Sequence, residues 1–113
     1  MKLPLSPSVR HGQLLFVSGQ LAFDEEWRLV PGSVAAQTTR CLENIERILL
    51  KEGAARVDIL KVTAWIVDAR DFAEFNGAYA EFFGEHKPAR STVVAALVIP
   101  EARVEIEAIA RAR

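Results

Sequence analysis

One arginine and two glutamates stand where a charge is costly. Arg90 stands near the start of the apolar run Ala89 to Ile99, after Pro88-Ala89, and Glu105 and Glu107 are set into a second run, Arg103 to Ala110. Both runs read as strands of a packed domain, where a charge facing a core or an interface is kept only when it is paired or used. A guanidinium at such a position offers a planar fork of donors matched to a carboxylate or phosphate. A glutamate in a dry cleft, its pKa raised, can accept a proton from water. The plainer alternative is structural: Arg90 pairs with a glutamate of the next strand, and both glutamates line a solvated face.

Other candidates are weaker. Thr92 shares the strand face of Arg90. Asn76 interrupts an aromatic stripe, so its amide must find partners, as a structural bridge or as a ligand contact. In Ser18-Gly19-Gln20 the glycine permits a bend and a close approach of backbone to a ligand. Ser18 has no base near it in sequence, which argues against a serine nucleophile. His11 and His86 lack metal-ligand spacing and read as surface residues. Cys41 falls on an apolar helical stripe and reads as a small buried hydrophobe.

Positioning these residues falls to one domain. With 113 residues, half of them hydrophobic and 26% charged, the chain can bury one core. A net charge of −1 gives no phosphate footprint, so nucleic acid is not an expected partner. A single cysteine excludes an internal disulfide framework. No run approaches a membrane span, and Met1-Lys2-Leu3-Pro4 does not open a signal peptide, so the cytoplasm is the expected location.

Leu14 to Ser18 reads as a buried strand that continues through Leu21-Ala22-Phe23 into a turn at Asp24 to Trp27, with Arg28-Leu29-Val30 as the return strand. Ser33 caps a helix whose apolar stripe is Thr38, Cys41, Leu42, Ile45, Ile48 and Leu49, stopped near Gly53. Leu60 to Val67 is a strand with Val62, Ala64 and Ile66 on one face and Thr63, Trp65 and Val67 on the other. Asp71, with Glu74 three residues on, is placed to cap a second helix carrying Phe72, Phe75, Asn76, Tyr79, Phe82 and Phe83, and Gly84 ends it. Ala89 to Ile99 and Arg103 to Ala110 are the last strands, joined around Pro100-Glu101. The order β-β-α-β-α-β-β, with a hairpin at each end, predicts an α+β fold with both helices on one face of a mixed sheet. The other face, apolar at several positions, needs cover that this chain does not supply, so a second copy is expected to supply it.

At these residues the chain resembles the RidA/YjgF family of reactive intermediate (enamine/imine) deaminases. The resemblance runs from about Pro4 to the C-terminus and is most specific in Pro88-Ala89-Arg90-Ser91 through Leu97, Pro100, and Val104-Glu105-Ile106. Phe16-Val17-Ser18-Gly19-Gln20, Asn44-Ile45, Asp71-Phe72 with Asn76 and Tyr79, and Glu81-Phe82-Phe83 support it. The resemblance implies a single RidA-like domain over residues 1–113 with a chorismate-mutase-like fold. It also implies a homotrimer with clefts between subunits, and no metal or organic cofactor. The implied activity is hydrolysis of 2-imino or 2-enamino acids, such as 2-aminoacrylate, 2-iminopropanoate or 2-iminobutanoate, to 2-keto acids and ammonia. Carried over residue by residue, Arg90 clamps the substrate carboxylate and Glu105 activates the attacking water. Ser18, Gly19, Asn76 and Thr92 shape the substrate-binding cleft, and Glu107 has no catalytic role. Two positions depart from the pattern. Leu5 follows the early proline where many deaminases of the family carry a tyrosine, and Thr92 replaces the cysteine of the best-known members. A non-enzymatic trimeric binder of small carboxylates and a pathway-specific enamine deaminase are the alternative readings.

Overall fold

A computed structural model describes residues 3–113. Along them run β1 (Ser8–His11), β2 (Leu14–Gln20), α1 (Val34–Lys51), β3 (Ile59–Ile66), α2 (Phe72–Phe83), β4 (Ala89–Val94) and β5 (Val104–Arg111), in the expected β-β-α-β-α-β-β order. The strands make one five-stranded sheet, ordered β1-β2-β5-β3-β4. Only β3 and β4 pair in parallel, with α2 as the connection between them.

The sheet has two unequal faces, and period-two alternation decides which residue belongs to which. Leu15 and Val17 of β2, Val62, Ala64 and Ile66 of β3, and Val104, Ile106, Ala108 and Ala110 of β5 are all buried, in one cluster with both helices. The intervening positions, among them Phe16, Thr63, Trp65, Glu105, Glu107 and Ile109, stay half-buried or exposed.

Helix α1 forms as its sequence dictates. The Ser33 hydroxyl accepts the Ala36 N–H at 3.1 Å, and Gly53 just beyond the helix adopts φ +80°. Its stripe of Val34, Thr38, Cys41, Leu42, Ile45 and Leu49 is fully buried on the sheet, each of the leucines contributing about 1.5–3 kcal/mol by burial. Thr38 is tolerated there because its hydroxyl donates to the Val34 carbonyl at 2.7 Å.

Four expectations are corrected. First, the N-terminal hairpin pairs β1 with β2 around Gly12 (φ +60°), while the segment expected as strands at 21–23 and 28–30 makes a single bridge, Phe23↔Leu29. Asp24 is the cause: its Oδ1 accepts the backbone N–H groups of Glu26 and Arg28 at 2.9 and 3.0 Å, so a side chain closes the loop in place of a ladder. Second, the strand expected over 89–99 ends at Val94. Its neighbour β3 stops at Ile66, whose carbonyl accepts the Ala95 N–H at 3.0 Å, and beyond that point the backbone has no strand to pair with. Third, the last two strands are not a hairpin, because β3 lies between β4 and β5. Fourth, Asp71 occupies the N-cap position of α2 without capping it. Its carboxylate accepts from Arg103 at 3.1 Å, and Glu74 accepts the Ala35 N–H at 3.0 Å, so both acids serve tertiary contacts. The turn before the helix is capped instead by Asp68, which accepts the Arg70 N–H.

Candidate active site

Strand register places Arg90 and Glu105 on opposite faces of the sheet. On β4, Arg90 lies beside Val62, Thr92 beside Ala64 and Val94 beside Ile66, and all three β3 partners belong to the buried helix-side face. On β5, Glu105 lies beside Trp65 and Glu107 beside Thr63, on the open face. The ion pair between neighbouring strands, the structural alternative for Arg90, is thereby excluded. Among the described residues Arg90 forms no salt bridge.

What holds Arg90 is aromatic. Phe72, Phe75 and Tyr79 recur at three- and four-residue steps along α2, which sets their rings side by side over β4. The guanidinium carbon lies 4.6 Å from the Tyr79 ring centroid, 5.1 Å from Phe75 and 5.7 Å from Phe72. Such contacts attract a cation without using its N–H donors, at about 0.5–2 kcal/mol each. Around the same group lie the buried side-chain atoms without a hydrogen-bond partner: Asn76 Oδ1, the Tyr79 hydroxyl and Thr92 Oγ1. Burial pushes the Tyr79 phenol up to about 12, against a smaller opposing pull from the Arg90 charge, so it stays protonated at neutral pH. Arg90 lines two cavities. One of about 400 Å³ is bordered by Ile66, Phe72, Thr92 and Val94. The other, about 320 Å³, is bordered by Asn76, Tyr79, His86 and Lys87. A cation with unused donors, set in an apolar frame, is suited to a small carboxylate.

On the open face Glu105 is half-buried, and its carboxyl is raised above the ordinary value of 4.5, first by burial and then by the charge of Glu107. The shift is in the direction that makes the carboxylate a better proton acceptor. Gly19 is what lets the carboxylate lie where it does. β2 departs from regular register between Val17 and Gln20, and a Cβ added at Gly19 would collide with Glu105 Oε2. Ser18, by contrast, is already engaged: its hydroxyl donates to the Ser6 carbonyl at 2.6 Å and its N–H to Pro7 at 2.9 Å, tying the N-terminal segment to β2. Leu5 is mostly exposed and borders a cavity of about 600 Å³ together with Gly19, Leu21, Phe23, Trp27 and Ile48.

Of the sequence-derived site residues, one chain therefore gathers Arg90, Asn76 and Thr92 on the helix side, and Glu105 and Gly19 on the open side with Ser18 beside them. In the sequence Tyr79 belongs to the aromatic stripe and to the family pattern but has no site role, yet it stands closest of the three rings to Arg90. The signal available was a phenol three residues after Asn76, one helical turn on, which needs a polar partner when buried. His86 is not a surface residue: it is half-buried, with its Nε2 2.7 Å from the Ile59 carbonyl. Cys41 is buried, and burial raises its thiol, as suits a packing residue. Among the described residues no cluster of three His, Cys, Asp or Glu side chains is arranged to hold a metal ion.

The family described as Endoribonuclease L-PSP matches residues 2–112. A RutC family protein of Pyrococcus abyssi is 42% identical over 108 residues, covering 95% of this chain and 85% of the relative. The 2-iminobutanoate/2-iminopropanoate deaminase of Escherichia coli is 38% identical over 110 residues, covering 95% of this chain and 86% of the enzyme. The crystal structure of E. coli TdcF with bound serine superposes with a TM-score of 0.91 at 35% identity, covering 100% of this chain and 91% of TdcF. The fold is thus the chorismate-mutase-like α+β fold that the sequence implied.

Proposed function

The chain belongs to the YjgF/RidA family, that of the Endoribonuclease L-PSP description, and from this we propose that it hydrolyses reactive 2-imino and 2-enamino acids to 2-keto acids and ammonia. The observation that carries the reading is Arg90, a cation without an acid partner, framed by three aromatic rings and three unpaired buried oxygens. It would clamp the substrate carboxylate through two parallel N–H donors, with Asn76 and Thr92 closing the cleft around it. Glu105, as base, takes a proton from water as the oxygen adds to the imine carbon. That proton passes to the imine nitrogen to give a carbinolamine, whose hydroxyl then yields its own proton through the same carboxylate to nitrogen as the C–N bond breaks, the carbonyl forms and ammonia leaves. An imine carbon is already electrophilic, so one positioned carboxylate supplies the proton traffic. The net charge of −1 favours such a small anion over a polynucleotide.

The opposite placement of Arg90 and Glu105 supports a second part of the proposal. The two residues meet across subunits of a homotrimer whose open sheet faces pack together, with the β4 edge that carries Arg90 in one copy meeting Glu105 and Gly19 of the next. Phe16 and Val93 are each 41% exposed on the open face, beside Trp65 and Ile109, an apolar surface that association would cover. Among the described residues no helix is long and apolar enough to cross a membrane, and we place the protein in the cytoplasm, where imines of amino-acid metabolism arise and a buried thiol stays reduced.

The test is to generate 2-iminobutanoate in situ and follow its decay. Wild type should accelerate the decay, and Arg90→Ala should lose about 10³-fold in kcat/KM. Equal decay with and without the protein leaves only the carboxylate-binder reading. A monomer in sedimentation would defeat the intersubunit cleft.

A further inference from the structure

Asn76 Oδ1, the Tyr79 hydroxyl and Thr92 Oγ1 share a property: each can accept a hydrogen bond, each is buried, and none has a partner. The side chain they surround, Arg90, is a donor only, with N–H groups that meet aromatic faces. Ring faces attract the charge but do not fix the rotation of the guanidinium plane. A two-point grip on a carboxylate needs that rotation fixed, because both N–H groups must point at both oxygens. We infer that Tyr79 is a positioning residue for Arg90: its phenol oxygen, together with Asn76 Oδ1 and Thr92 Oγ1, accepts the inner N–H groups and presents the outer edge of the fork to the substrate carboxylate.

The fixed partner is the phenol. Its ring is held between Phe75, 5.7 Å away, and Phe83, 4.8 Å away, inside the stripe that packs α2 on the sheet. The mobile partner is the arginine, whose long side chain stands between two cavities on the edge strand. A turn of the guanidinium serves the orphaned oxygens and its own unused donors together. The phenol stays neutral at physiological pH, and a neutral hydroxyl can accept from Arg90 without cancelling the charge that draws the substrate. A carboxylate in its place would neutralise the clamp.

The inference rests on the carboxylate-clamp reading and makes a separate demand of Tyr79→Phe, which removes one oxygen and keeps the ring. Its kcat/KM on 2-iminobutanoate generated in situ should fall about tenfold, mainly through KM, with the unfolding midpoint unchanged. Added to Arg90→Lys, which has no fork to orient, the same substitution should cost far less than it does in wild type. A direct readout comes from proteins with ¹⁵N-labelled arginine saturated with the product 2-ketobutyrate, the Arg90 signals being assigned by their loss in Arg90→Lys. In wild type, rotation about Cζ–Nε should be slow enough to give separate Nη signals. In Tyr79→Phe they should merge. An unchanged KM, Nη signals that do not depend on the phenol, or an equal loss in the Arg90→Lys background would each overturn the inference. The last would show that the phenol touches the substrate on its own account. Because the spectroscopic test needs only 2-ketobutyrate binding, it still decides the role of Tyr79 if the protein binds carboxylates without turning imines over.

Discussion

The two faces of the sheet solve the problem of a charge among apolar residues in opposite ways. Arg90 is held inside one chain: β4 aims it at α2, and Phe72, Phe75 and Tyr79 frame it. Glu105 is held by backbone shape alone, against a glycine at a break in strand register, on a face the chain leaves uncovered. The first half is assembled within one chain. The second is a carboxylate at the edge of dryness, whose pKa burial by a second copy would raise and an approaching Arg90 would lower. Apart, the first half can bind and the second can exchange a proton. The proposed chemistry needs both within one cleft, and the chain's own sheet separates them.

That contrast leads to the largest effect we expect. Arg90→Ala and Glu105→Gln should each be nearly inactive alone, the second by about 10²-fold as the proton acceptor is lost. When the two inactive proteins are co-expressed or refolded together, clefts with an intact Arg90 from one copy and an intact Glu105 from the next should restore up to about a quarter of wild-type activity. Assay of the mixed trimers, with separately folded variants combined afterwards as the control, measures this. If the mixture stays as inactive as its parents, the two residues do not meet across subunits.

A smaller effect isolates the Glu105 half. Gly19→Ala places a methyl group against Glu105 Oε2 and must move the carboxylate, since the glycine itself lies on a strand and cannot yield freely. We expect roughly a tenfold fall in kcat, little change in stability, since only the flexible end of Glu105 has to move aside, and little change in the affinity for 2-ketobutyrate, which the Arg90 half would carry. Calorimetric titration beside steady-state kinetics separates these. Loss of affinity in step with kcat would mean that the two halves are not energetically distinct.

The sequence showed most where one local cause acts alone. α1 was legible because its cap and its apolar stripe agree, and β3 because Val62, Ala64 and Ile66 alternate with Thr63 and Trp65. β1 was not: Ser8-Val9-Arg10-His11 is an edge strand with one apolar residue, and it pairs only because Gly12 reverses the chain. Asp71 and Glu74 misled for a common reason: each suits a local cap, and tertiary bonds decided their use. At the site, residue types and family pattern named Arg90 and Glu105, but their placement on opposite faces depended on β5 inserting between β2 and β3. No local pattern encodes that pairing. Tyr79 stayed hidden because a phenol on an aromatic stripe looks like packing until its hydroxyl is found without a partner.

The smallest expected effect tests the electrostatics of the open face. Glu105 is raised above 4.5 by burial first and by the Glu107 charge second. A base must be deprotonated, so kcat/KM should fall as pH drops through the raised pKa. Glu107→Gln removes only the second cause and should slide that acid limb to lower pH, leaving the plateau rate unchanged. Stability carries the same sign. A carboxyl whose folded pKa lies above its unfolded value binds its proton more tightly when folded, so keeping Glu105 charged costs stability above the folded pKa and nothing below the unfolded one. Glu105→Gln should therefore raise the unfolding midpoint at neutral pH, and the gain should vanish below about pH 4.5. Thermal unfolding of both proteins across that range decides it. A gain that persists at acid pH would mean that Glu105 costs stability by its shape, and the raised carboxyl could no longer be read as the signature of a proton-handling group.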